Sequence, residues 1–97
     1  GLARADYLLK TGETELAGQL LQTLHPETDR EKARHLFLSG EYCCAAGRQQ
    51  AAIEMYSAAE QAGDALLLPR IYRRLEDCYR EQDNYKMAYI YAARQLR

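Results

Sequence analysis

Two adjacent cysteines, Cys43 and Cys44, sit in the stretch E-Y-C-C-A-A-G, and a third, Cys78, follows later in the chain. Such thiols could ligate a metal, exchange electrons or attack an electrophile. Zinc wants a ligand set that converges tetrahedrally. Neighbours on a helix point about 100° apart, so Cys43 and Cys44 diverge. His35 would stand about 12 Å from Cys43 along a helix axis. No C-x-x-C or H-x-x-x-H spacing is present. A cysteine nucleophile needs a base, an orienting group and an oxyanion site, and no residues point to such a set. His25 precedes Pro26 at an expected helix end, where a cation suits the dipole, and His35 falls early in a helix among charged residues. The carboxylate pairs Glu13/Glu15 and Glu76/Asp77 read as solvated helix faces, and no glycine-rich phosphate loop occurs. The sequence therefore predicts no catalytic residue, no metal and no cofactor. Cysteine also packs as a small hydrophobe, and that is the reading taken for Cys43 and Cys78.

The bulk composition narrows the class. The chain has 97 residues, enough for one domain. Hydrophobic residues make up 47% and charged ones 28%, as in ordinary globular proteins. Eight tyrosines, one phenylalanine and no tryptophan imply a core of Leu, Ala and Tyr. Thirteen basic and 14 acidic residues leave a net charge of −1, which argues against nucleic-acid binding. No apolar run approaches the ~18–20 residues that span a bilayer, so this segment is not expected to insert in a membrane. The start, G-L-A-R-A-D, has neither an initiator methionine nor a signal-peptide pattern, so the chain reads as a piece of a longer protein.

The elements that must position these residues follow from an internal repeat. G12-E-T-E-L-A17, G47-R-Q-Q-A-A52 and D83-N-Y-K-M-A88 align, with turns 35 and 36 residues apart. A helical stretch precedes each turn. Leu36, Ser39, Gly40 and Cys43 share one helix face, as do Tyr72, Leu75, Cys78 and Tyr79. No period-two alternation suggests a strand. The fold class predicted is all-α, with helices near 2–11, 13–25, 29–46, 48–62, 68–82 and 84–96. Pro26 breaks the second helix, Thr28 with Glu31 opens the third as a capping box, and Pro69 favours a fifth helix starting near Leu68. The units are about 1–27, 28–63 and 64–97.

This pattern resembles the tetratricopeptide repeat (TPR), most closely at Leu36, Gly40, Gly47, Ala52, Tyr56 and Ala59, and next at Tyr72, Leu75, Tyr79, Tyr85 and Ala88. The third copy departs from it with Asp83 at the turn glycine and Gln95 at the last alanine. The resemblance implies three tandem hairpins forming a short right-handed superhelix, an α-solenoid. Its order of segments is similar to TPR lipoproteins and membrane sensor proteins of certain gut bacteria.

The resemblance also implies a concave face lined by the first helix of each unit. The partner-binding residues expected there are Arg34, Phe37, Glu41, Arg70, Arg73, Asp77 and Arg80, with Asp6 and Lys10 extending the row. The arginines would suit an acidic peptide or carboxylate. Cys44 is the thiol expected to face this concave side. Leu2, Asp6, Glu41, Arg73 and Asp77 match the places of the chaperone-tail clamp, and only Arg73 suits it. The last helix is apolar nearly all round. That predicts self-association, or docking of a following helix, over residues 84–97 through Tyr85, Tyr89 and Leu96, with a homodimer the simplest case. The function expected is a non-catalytic scaffold that binds a peptide or partner helix. The alternative is a regulatory or sensor segment of a signalling or transcription-regulating protein whose effector lies outside this chain. A thiol enzyme or redox protein is the third and least supported reading. The compartment is left open between the cytoplasm and the periplasmic part of a membrane-anchored protein.

Overall fold

A computed structural model describes residues 1–96. Six helices follow one another: α1 Leu2–Lys10, α2 Thr14–Thr23, α3 Asp29–Ala45, α4 Gln49–Ala62, α5 Leu68–Glu81 and α6 Tyr85–Arg94. There is no strand among the described residues. None of these helices is long and apolar enough to cross a membrane. The helices pair as α1–α2, α3–α4 and α5–α6. Further contacts of α1 and α2 with α3, and of α4 with α5, join the three hairpins in order. The expected interface over 84–97 includes Arg97, which lies outside the described residues.

The three hairpin turns are built alike. Gly12, Gly47 and Asp83 all take left-handed φ values of 86°, 78° and 59°. The next residue then sends its N–H back to the carbonyl of a helix residue: Glu13 to Leu8 (2.9 Å), Arg48 to Cys43 (2.8 Å) and Asn84 to Tyr79 (2.8 Å). This closure satisfies carbonyls that a helix end otherwise leaves unpaired. Glycine takes that conformation freely, and aspartate is among the few residues that tolerate it. Asp83 therefore fills the glycine position without altering the turn.

Helix starts follow local chemistry. Thr28 Oγ1 accepts the Glu31 N–H at 3.1 Å and its hydroxyl reaches the Glu31 carboxylate, which opens α3. Asn84 caps Met87 N–H at 3.2 Å and opens α6. α5 begins at Leu68 with Pro69 in its first turn, as the sequence predicts. α2 stops at Thr23, two residues before the expected end, and Leu24 is already extended. The residue before a proline is pushed out of the helical region, so the break at Pro26 reaches back through His25. His25 thus lies beyond the helix end rather than at it.

The core runs along the stack. Ala5, Ala17, Ala33, Ala52, Ala59, Tyr56, Ile71 and Leu75 are fully buried. Small residues set the closest approaches. A Cβ on Gly40 would lie 2.6 Å from the Tyr56 ring, so α3 and α4 touch there. A Cβ on Gly18 would lie 2.5 Å from the Tyr42 ring, which seats α2 against α3. Phe37 and Tyr56 pack with ring centres 5.6 Å apart. Tyr91 of α6 stacks on Tyr79 at 5.9 Å and lies 6.0 Å from Tyr72. Phe37 is thus a core residue, 2% exposed, and corrects its expected place on the binding face. The cause is that α3 is packed on several sides, by α1, α2 and α4.

Candidate functional site

Two adjoining clefts run across the first helices of the hairpins. One, of about 430 Å³, is lined by Asp6, Leu9 and Lys10 of α1, by Glu41, Cys44 and Ala45 of α3, by Tyr56, and by Arg70 and Arg74 of α5. The other, of about 480 Å³, lies between α3 and α5 and takes in Cys44, Gln49, Arg74, Asp77, Cys78 and Glu81. Cys44 and Arg74 belong to both. These volumes fall in the range of ordinary ligand sites.

A charged cluster stands at their shared wall. Arg74 donates Nε to Glu41 Oε1 at 2.7 Å and Nη2 to Glu41 Oε2 at 3.4 Å. Such a forked pair fixes both side chains more firmly than a single contact. The hydrogen bond that Arg74 donates to Glu41 raises the guanidinium above its already high range. Tyr56 donates its hydroxyl to the same Glu41 carboxylate. Burial, first, and its bonds to Cys44 and Glu41 push the Tyr56 phenol far above its usual range, so it stays a neutral donor. Cys44 Sγ lies 3.5 Å from Tyr56 Oη and 3.9 Å from Cys78 Sγ. Its thiol is lowered to about 6, chiefly by its hydrogen bond with Cys78 and next in favour by its contact with Tyr56, against burial and the charges of Glu41 and Glu81. Cys78 is raised well above the ordinary thiol range by the same bond and by burial. Cys43 points into the core, and burial raises it.

Charge is divided between the clefts. In the first, Lys10 pairs with Asp6 at 3.3 Å and Arg74 with Glu41. Arg70 has no ion-pair partner among the described residues; its guanidinium sits 4.8 Å over the Phe37 ring. That cleft therefore keeps one uncommitted cation. The second carries Asp77 and Glu81 and is the more acidic.

Of the residues predicted for the binding face, Glu41, Arg70 and Asp77 line these clefts, with Asp6, Lys10 and Cys44 beside them. Arg34 lies elsewhere, in a cleft with Thr28, Asp64 and Leu66. Arg73 lines neither cleft. Arg80 turns to Glu76, whose other partner is Gln95 beyond the end of α6. The reason is helical phase. With about 100° per residue, Arg70, Arg74, Asp77 and Glu81 form one stripe, whereas Arg73 and Arg80 fall to one side of it. Arg74 and the Tyr56 hydroxyl were missed. Nothing local marks them, because their partner Glu41 is 33 and 15 residues away respectively. Tyr85, Tyr89 and Leu96 are 62%, 75% and 89% exposed. Tyr91, Ala88 and Met87 fill the inward side of α6.

No family model matches the chain, and no curated protein or solved structure shows significant similarity to it.

Proposed function

We propose that the three hairpins are TPR-like units of a short right-handed superhelix, and that this segment is a non-catalytic scaffold for a protein or peptide. The observation that carries the reading is the cleft to which α1, α3 and α5 all contribute side chains. A stack of repeats makes such a surface, since each first helix adds one strip to it. The like turns at Gly12, Gly47 and Asp83 support the same register of units. In this reading Arg70 is the anchor. It is an exposed residue, without an ion-pair partner among the described residues, and its guanidinium is stiffened by the Phe37 ring beneath it. Lys10, paired with Asp6, lines the same cleft, and Leu9 adds an apolar contact. The ligand chemistry that fits is an extended or helical peptide with an acidic group near an apolar side chain. The Glu41–Arg74–Tyr56 cluster holds the floor in place before binding, which limits the ordering cost.

A peptide library displayed against the whole chain tests this. Selected peptides should be acidic, and their binding should shift the amide resonances of Lys10, Glu41, Arg70 and Arg74. Arg70→Glu should weaken them about tenfold or more, as loss of a charge-assisted contact with added repulsion implies. Peptides that map instead to the outer surface of α4 or α6, with Arg70→Glu indifferent, would defeat the proposal. A regulatory or sensor segment would use the same groove to control an effector outside these residues. The exposed apolar side of α6, where such a domain could adjoin, is what favours it.

A further inference from the structure

Cys44 and Cys78 stand 34 residues apart in sequence, on α3 and α5, yet both line one open cleft with their sulfurs 3.9 Å apart. We propose that they form an oxidisable dithiol site: a hydroperoxide entering the α3–α5 cleft is reduced at Cys44, and the pair closes into a disulfide that ties the second hairpin to the third. The two thiols differ in the way such chemistry requires. Cys44 is exposed and can meet the oxidant, whereas Cys78 is buried directly behind it. Cys43, next in sequence, faces the core and not the cleft.

The surroundings favour the thiolate at Cys44. Cys78 Sγ, 3.9 Å away, is placed to donate its S–H to Cys44, while Tyr56 Oη lies 3.5 Å from Cys44 with its own proton on Glu41. Acidic groups approach from α3 (Glu41) and α5 (Asp77, Glu81), but Arg74 engages Glu41, and Gln49 donates to Glu81. A thiolate with access is the reactive form of cysteine.

The reaction has two steps. The Cys44 thiolate attacks an oxygen of ROOH; an S–O bond forms, the O–O bond breaks, and the alkoxide leaves to take the proton that Cys44 had released. The Cys78 sulfur then attacks the Cys44 sulfenic acid; an S–S bond forms, the S–O bond breaks, and water leaves carrying the Cys78 proton. Two thiols and one hydroperoxide give one disulfide, one alcohol and one water. A disulfide needs its sulfurs about 2.05 Å apart, so the pair must close by about 2 Å. The movement would draw α3 and α5 together along the wall that both clefts share, and would remove the thiolate that Tyr56 faces.

The test treats the whole chain with hydrogen peroxide, blocks free thiols with iodoacetamide and maps tryptic peptides. Residues 35–48 should appear linked to residues 75–80 within one molecule, in the wild type and in Cys43→Ala, and not in Cys44→Ser. In Cys78→Ala, dimedone should instead trap a sulfenic acid on Cys44. Before oxidation at neutral pH, iodoacetamide should modify Cys44 about tenfold faster than Cys43, as a lowered thiol requires. The proposal falls if the link persists in Cys44→Ser, if only intermolecular links form, or if wild-type Cys44 runs on to sulfinic acid with no link to Cys78.

Discussion

The joint between the first and second hairpins and the joint between the second and third are made of different material. At the first, Gly18 lets the Tyr42 ring lie directly on α2, and His35 Nε2 bonds the Leu21 carbonyl at 2.7 Å. No ion pair crosses it among the described residues. At the second, Glu41–Arg74 and Glu60–Arg94 (3.0 Å) span the helices, Arg70 covers Phe37, and the two thiols meet. The first joint is held by shape and one hydrogen bond to a carbonyl, with no ion pair among the described residues for salt to screen. The second is held partly by charge and sulfur, so salt, pH and oxidants can act on it.

The largest effect should come from the aromatic floor of the second joint. Phe37→Ala deletes a fully buried ring that supports both Tyr56 and Arg70. It should cost about 3–5 kcal/mol in urea unfolding. A loss below 1 kcal/mol would mean that the ring is not the floor of that joint.

Glycine substitutions test the role of shape more finely. Gly40→Ala forces a methyl group into the buried Tyr56 ring, and overpacking of this kind costs about 1–3 kcal/mol. Gly18→Ala should cost less, because Tyr42 is only half-buried and can give way. Equal costs would erase the distinction between a locked ring and a movable one.

A double-mutant cycle of Glu41→Gln and Arg74→Met should give a coupling of about 1 kcal/mol in low salt, since both groups are partly exposed. The coupling should shrink at high salt. A cycle at His35, across the first joint, offers no charged partner to compare.

The last effect is the pH dependence of the thiol. Cys44 is lowered from 9.0 to about 6 in the folded chain, so folding favours its charged form. Its contribution is complete above about pH 9, declines as the pH falls toward 6, and is absent below. Stability of the reduced wild type should therefore rise more between pH 6 and 9 than that of Cys44→Ser, as thermal melts across that window would measure. Parallel curves would remove the thiolate from the second joint.

Much of the scaffold was legible residue by residue. The turns at 12, 47 and 83, the cap at Thr28, the start of α5 with Pro69 in its first turn, and the buried Ala52 and Ala88 all follow from local preferences and a repeat length. The candidate site was legible only in part. Glu41, Arg70, Asp77 and Cys44 were placed by analogy between units and line the two clefts, whereas Phe37 is buried and Arg73 and Arg80 line neither cleft. Helical periodicity gives the angle between residues on one helix, but not the angle at which that helix meets its neighbours. An error of one position rotates a side chain by about 100°.

By itself, then, the sequence determined the number of helices, their breaks and the apolar stripe of each, because these depend on contacts within a few residues. The tertiary structure alone decided that Arg74 reaches Glu41, that Tyr56 completes their cluster, and that Cys44 meets Cys78. Those partners lie 15 to 34 residues apart. Their meeting depends on how closely Gly40 lets α3 approach α4, and on how α5 then settles against that pair. That is a matter of packing between helices, where volume rather than local propensity sets the distance.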